Sequence, residues 1–308
     1  IAVGIDRRCL LWVIIFRMTT NTSALAKSAA TLPTQRYARV LSIAGSDSGG
    51  GAGIQADLKT FAALGCYGMT AITALTAQNT LGVSGIHGVP PAFLKAQIQA
   101  VVEDIGVDAV KLGMLHAPEV VEVVAWAIDH YKLPNVVLDP VMVATSGDRL
   151  ITEKAVQALV RELFPRAVVV TPNLDEAALL LGHSIDGIGA LDAAASELLA
   201  LGAHTALLKG GHLPGTEVVD VLALPGGVFH RFASTRITSR NLHGTGCTLS
   251  SAIAAHLALG QTLPDAVAQA RAYVLGAMQA GAGVVVGQGH GPLNHGFAPV
   301  PTVTVSAG

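Results

Sequence analysis

Val40-Leu41-Ser42-Ile43-Ala44 runs into Gly45-Ser46-Asp47-Ser48-Gly49-Gly50-Gly51-Ala52-Gly53, and Ile54–Leu64 follows with apolar residues at helical spacing. An apolar run, a glycine-rich loop and an amphipathic stretch predict a strand, a turn and a helix. The alternation repeats downstream. Tyr67–Leu75, Ala109–Leu112, Val136–Leu138, Ala167–Val170 and Thr205–Leu208 read as strands. Pro90–Ile105, reached through a loop, Pro118–His130, Glu153–Leu163, Leu174–Leu181 and Ala190–Leu201 read as helices. Val218–Leu224 and Val228–Ala233 flank Pro225-Gly226-Gly227 as a hairpin, and the helices Thr245–Leu259 and Pro264–Ala282 complete the pattern. Near-continuous apolar strands between helices are covered on both faces. The expected fold class is α/β, a three-layer α/β/α sandwich with a mostly parallel central sheet, whose ligands sit at the C-terminal ends of the strands.

Composition narrows the function classes. With 51% hydrophobic and 13% charged residues, the 308-residue chain can bury a large core. A formal net charge of −2, without a Lys/Arg run, lacks the clustered cations that nucleic acid or an anionic membrane surface requires. Cys9, Cys66 and Cys247 fit neither a disulfide framework nor a zinc pair, so a reducing compartment, the cytoplasm, is the simplest setting. Residues 1–36 read as an extension ahead of a single domain at 37–308. Arg7-Arg8, the run Cys9–Phe16 and Ala24-Leu25-Ala26 loosely imitate a signal peptide, but the run is far short of the ~20 residues that cross a bilayer. Residues 1–17 are therefore expected to be translated upstream or non-native sequence, and Met18–Arg36 a disordered tail.

The loops at the strand ends carry the chemistry. Gly45–Gly53 is not a P-loop, because Ile54-Gln55 stands where Lys-Ser or Lys-Thr is needed, and no acidic residue follows at the distance a dinucleotide fingerprint requires. Asp57 lies in the helix after this loop and Gln78 at the next strand end; an amide in that place suits a nitrogen heterocycle with an amino group. Each could equally be an ordinary surface residue. Asp139 follows a strand directly. Asn173 and Glu176 stand three apart at a helix start, on one face, where hard oxygen ligands suit Mg²⁺; the same spacing is a capping box. Lys209 ends a strand beside Gly210-Gly211, either as a phosphate contact or as a solvated turn residue. Asn241-Leu242-His243-Gly244-Thr245-Gly246-Cys247-Thr248 opens a helix, and such a terminus attracts anions and lowers the pKa of a thiol placed there. Cys247 is then either a base for a substrate hydroxyl or a buried structural thiol.

Taken in order, Ala44–Asp57, Ala77-Gln78-Asn79-Thr80, Lys111-Leu112-Gly113-Met114-Leu115, Asp139–Met142, Thr171-Pro172-Asn173, Lys209-Gly210-Gly211-His212 and His243–Thr248 resemble the hydroxymethylpyrimidine/phosphomethylpyrimidine kinases of thiamine biosynthesis, within the ribokinase-like superfamily. The resemblance covers residues 39 to 295. It implies ATP-dependent phosphorylation of an aminopyrimidine alcohol and then of its monophosphate. It also implies that Gln78, Asp57 and Gly45 contact the pyrimidine, with Met114 and Val141 packed near it. Asn173 and Lys209 would serve the nucleotide, and Glu176 with Asp139 the Mg²⁺. Gly244, Thr245 and Gly246 would form the anion hole, with Cys247 as base where many sugar-kinase relatives carry Asp. A homodimer is implied too. The competing readings are a pyridoxal kinase of the same superfamily and a non-catalytic pyrimidine-binding regulator.

Overall fold

The computed structural model describes residues 35–142 and 151–307. The strands are β1 (Gln35–Tyr37), β2 (Arg39–Asp47), β3 (Tyr67–Asn79), β4 (Gly82–Gly88), β5 (Ala109–Leu112), β6 (Val136–Leu138), β7 (Val169–Val170), β8 (Ala206–Leu208), β9 (Glu217–Leu224), β10 (Val228–Thr235) and β11 (Thr304–Ser306). The helices are α1 (Gly53–Ala63), α2 (Pro91–Asp104), α3 (Pro118–Tyr131), α4 (Glu153–Leu163), α5 (Leu174–Leu181), α6 (Leu191–Ala200), α7 (Thr245–Ala258) and α8 (Leu263–Gly281).

Nine strands form one sheet in the order β10-β9-β8-β7-β6-β5-β2-β3-β4, parallel through its centre and antiparallel at β3–β4, β8–β9 and β9–β10. Strand alternation builds two cores. Leu41, Ile43, Val110 and Leu112 face α2 to α6, while Val40, Ala109, Val137 and Leu207 face α1, α7 and α8. The central strands β2, β5, β6, β7 and β8 thus bury both faces, which is why their sequences are apolar without a polar stripe. The three-layer sandwich expected from the sequence is the observed one. Chain order reverses at β2, whose neighbours are β3 on one side and β5 on the other. That reversal opens a crevice at the C-terminal ends of β2 and β5, the place where such sheets bind ligands.

Differences from the expected elements have local causes. Gly82–Gly88, expected as loop, pairs antiparallel with β3 and lets it run to Asn79. Residues Gln35 and Arg36, expected in the tail, belong to β1, which pairs with β11. Residues 1–34, the rest of that extension, lie outside the described residues. Among the described residues no helix is long and apolar enough to cross a membrane.

Candidate active site

Two glycine turns meet at the crevice. Gly244 caps α7 with φ +84°, in the left-handed region, and a side chain there would run into the carbonyl oxygen of Gly51. Gly53, φ +55°, presses as closely on the carbonyl of Gly45. Only glycine permits both the conformation and the approach. This contact of backbone on backbone brings the Gly53 amide to Cys247, to which it donates. The first-turn amides of α7 have no intrahelical acceptors, the condition under which a helix start attracts anions. Thr245 turns both of its donors back on the loop, its hydroxyl donating to Leu242 O at 2.7 Å and its amide to the same oxygen at 3.2 Å.

Below this turn stand two ion pairs. Ser251, one turn on from Cys247, donates to Asp57 Oδ1 at 2.7 Å, and Lys111 Nζ lies 2.9 and 3.0 Å from the two Asp57 oxygens. Ser42 donates to Asp57 Oδ2 at 2.5 Å. Both charged side chains are 0% exposed. Asp57 therefore does not stand at the ligand surface as the resemblance implied; its oxygens are spent on Lys111 and two hydroxyls. Burial opposes the Lys111 charge, but Asp57, with Cys247 and Asp139 beyond, holds its pKa above the ordinary lysine value.

The second pair is more open. Lys209 Nζ lies 2.9 Å from Asp139 Oδ1 and 3.9 Å from Glu176 Oε2, and keeps 12% exposure. Thr171 donates to Asp139 Oδ1 at 3.1 Å, and Ser250 donates to Asp139 Oδ2 at 3.3 Å. Two carboxylates here share one ammonium. Burial pushes the Glu176 carboxyl up to about 7, Lys209 pulling against the shift and Asp139 adding to it. The capping box is real as well: Asn173 N donates to Glu176 Oε2 at 2.8 Å, and Glu176 N donates to Asn173 Oδ1 at 2.9 Å. Asn173 and Glu176 thus build the start of α5 and face Lys209 together.

This donor set fits a hard divalent cation. Asp139 and Glu176 offer oxygen ligands and a negative charge that Lys209 only half balances. Among the described residues no three His, Cys, Asp or Glu side chains gather as a cage. The arrangement suits Mg²⁺ that keeps its waters and shares a nucleotide's phosphates.

Cys247 lies between the pairs, half-buried. The expectation that a helix start lowers its pKa is not met in this ligand-free form. Burial pushes the thiol up to about 11; Lys111 and the Gly53 amide pull it down, while Asp57 and Asp139 push it further up.

The other expected residues lie at or just past the C-terminal ends of β2, β3, β5 and β6. Met114, at the end of β5, is buried, and a methyl group placed on Gly45 would lie 3.0 Å from its Cε. Val141 is half-buried and its amide donates to Asp139 O at 2.8 Å. Gln78 is half-buried at the end of β3, beside Thr76 and His243. Lys111, Asp47 and His243 were not singled out from the sequence. Lys111 had left a sign, as the one charged residue in the apolar run Ala109–Leu112, where burial demands a partner.

Comparison with known proteins places the chain in a family. The model of the family described as phosphomethylpyrimidine kinase matches residues 47–294. The chain is 52% identical over 256 residues to hydroxymethylpyrimidine/phosphomethylpyrimidine kinase of Rhizobium meliloti, covering 83% of this chain and 96% of that one. It is 54% identical over 256 residues to the thiamine biosynthesis bifunctional protein ThiED of Geobacter sulfurreducens, 83% of this chain but only 52% of that protein. Among solved structures, phosphomethylpyrimidine kinase of Clostridium difficile 630 superposes with TM-score 0.68 at 43% identity, over 77% of this chain and 97% of that one. Pyridoxal kinase of Bacillus subtilis, as an ADP complex, superposes with TM-score 0.78 at 37% identity, over 84% and 98%. Backbone shape does not separate the two kinase types, whereas the family match over most of the fold does: the chain belongs to the phosphomethylpyrimidine kinases, in the ribokinase-like superfamily.

Proposed function

We propose that this enzyme transfers the γ-phosphoryl group of ATP to the hydroxymethyl group of 4-amino-5-hydroxymethyl-2-methylpyrimidine, and then transfers a second phosphoryl group to the monophosphate so formed, in thiamine biosynthesis. The observation that carries the reading is Cys247 in the first turn of α7, with Lys111 and Lys209 held on either side by Asp57 and Asp139. In this scheme Gln78, Gly45, Met114 and Val141 receive the ring. Lys209 and Asn173 meet the nucleotide phosphates, and the amides of Gly244, Gly246 and Cys247 take the charge of the transferring group, on the turn that Thr245 holds. Asp139 and Glu176 would hold Mg²⁺, which supplies further charge neutralisation when bound. Cys247 takes the hydroxyl proton of the first acceptor. The second acceptor, a phosphate, is already ionised and needs no base. A thiol raised to about 11 is neutral at pH 7, so base function requires its pKa to fall when Mg²⁺ binds with the nucleotide, because the triphosphate's own charge would raise it. The pH dependence of Cys247 alkylation, with and without Mg²⁺ and a non-hydrolysable ATP analogue, measures that fall; identical curves would remove Cys247 as base.

Family membership sets aside the non-catalytic regulator, and the pyridoxal kinases enter as structural relatives. ATP consumption with the pyrimidine alcohol, its monophosphate and pyridoxal in parallel tests the substrate. Turnover confined to pyridoxal would overturn the assignment. A cytoplasmic homodimer is part of the proposal, supported by the exposed apolar side chains Leu75, Leu81, Ile86 and Phe93 on β3, its turn into β4, β4 and α2. Light scattering at the monomer mass would refute the dimer. Residues 1–34 are proposed to be dispensable: their removal leaves turnover and melting temperature unchanged, and a loss of either would place them within the functional domain.

A further inference from the structure

The Gln78 amide lies between two polar groups. The end placed as Oε1 is 3.1 Å from Thr76 Oγ1, and the end placed as Nε2 is 3.4 Å from His243 Nε2. The hydrogens of those neighbours decide which end is which. Thr76 has one hydroxyl hydrogen, and the carbonyl of Ser46 takes it at 2.8 Å. Toward Gln78 the hydroxyl is left as an acceptor. His243 Nε2 lies 2.9 Å from Asp47 Oδ2, a carboxylate that also accepts from the amides of Gly49, Gly51 and Ala52. Burial opposes the Asp47 charge, yet the hydrogen bonds from His243, Ala52 and Gly49 hold its pKa below the usual carboxylate range. Asp47 is therefore an acceptor that takes the one hydrogen of His243 Nε2, which leaves that nitrogen no lone pair with which to accept an amide N–H. Both neighbours demand one orientation: amide nitrogen toward Thr76, amide oxygen toward His243. Gln78 then keeps one N–H and one oxygen lone pair for a ligand.

We infer that Thr76, His243 and Asp47 are positioning residues that lock the Gln78 amide in this orientation, and that the lock makes the site select a ring nitrogen beside an exocyclic amino group over the same ring bearing an oxo group. An aminopyrimidine edge presents an N–H donor next to a ring lone pair, which the locked amide meets with its oxygen and its N–H in turn. A 4-oxo ring presents an acceptor next to a ring N–H. Meeting that edge requires the amide to turn over, which sets donor against donor at His243 and breaks the Thr76 contact. The inference rests on Gln78 facing the substrate ring.

The test is kcat/KM for the 4-amino and the 4-oxo hydroxymethylpyrimidine, compared in wild type, Thr76→Val, Thr76→Ser, His243→Phe and Gln78→Ala. The amino-over-oxo ratio is expected to fall by about tenfold or more in Thr76→Val and His243→Phe, to survive in Thr76→Ser, and to collapse in Gln78→Ala. A structural role alone would lower both substrates equally and leave the ratio, which overturns the lock while Gln78 keeps its part if Gln78→Ala still loses the ratio. Should Gln78→Ala keep the wild-type ratio, the ring-facing reading of Gln78 fails and the lock with it. Either Thr76→Val or His243→Phe alone suffices for the decision if the other does not fold.

Discussion

The two ion pairs beneath α7 use the same chemistry and serve different ends. Asp57 and Lys111 are sealed at 0% exposure, one charge against one, with Ser42 and Ser251 filling the carboxylate. Asp139 and Lys209 stand at the crevice, with Glu176 as a second carboxylate that shares the Lys209 ammonium from 3.9 Å. A closed, balanced pair has no capacity for a ligand; an open, unbalanced one does. The sealed pair sets the field at Cys247, and the open pair is built to change partners.

The largest effect is expected at the residue between them. Cys247→Ser removes the group both pairs address, and phosphorylation of the alcohol should fall by roughly 10²–10⁴, while transfer to the monophosphate falls far less. Separate rate measurements for the two acceptors, with a thermal melt as control, check this. Equal losses would mean that Cys247 serves structure only. The pairs themselves come next. Lys111→Met strands the Asp57 carboxylate in the core and should cost about 3–5 kcal/mol in urea unfolding, whereas Lys209→Met leaves Glu176 able to take up a proton in place of the lost ammonium and should cost less stability and most of the activity. Similar stability losses in the two variants would erase the distinction drawn between them.

A pH experiment sharpens the contrast further. In metal-free buffer the Glu176 carboxyl, raised from 4.5 to about 7 by burial, binds its proton more tightly folded than unfolded. Its contribution to stability is full below 4.5 and is lost as pH rises toward 7. Glu176→Gln should therefore flatten stability between those values and raise it at pH 8, as urea titrations would show. An unchanged slope would place the raised carboxyl elsewhere. The smallest effect is expected from Asn173→Ala, which opens the capping box for about 1 kcal/mol. A loss of nucleotide affinity larger than the loss of stability would show Asn173 serving the phosphates as well as the helix.

How much of this was legible beforehand depends on where the partners lie. Glu153–Leu163 and Leu174–Leu181 match their helices residue for residue, because local spacing and the caps at Thr152 and Asn173 define them. Gly82–Gly88 was missed, since its three glycines break any alternation and it becomes a strand only by borrowing hydrogen bonds from β3. Asp57, in the helix after the glycine loop, and Asp139, directly after a strand, both read as ligand contacts. What separates them is Lys111, 54 residues from Asp57 in sequence and on a strand that the fold brings beside β2. The Asn173 and Glu176 alternatives were not alternatives at all, for one geometry provides both the cap and the carboxylate beside Lys209.

The ribbon of β1 and β11 has an engineering consequence. Gln35 pairs with Ser306, and Val303 donates to Gly65 at the start of β3, so both ends of the fold leave from the edge of the sheet opposite the crevice. The turn at Pro225-Gly226-Gly227 lies at that same far edge, because β9 runs antiparallel to β8 and away from Lys209. A short linker from Ser306 to Gln35, with new termini opened at Gly226, gives a circular permutant whose cut and splice both lie away from the ligand-binding edge. Fusion partners could be carried at either end without shading the crevice.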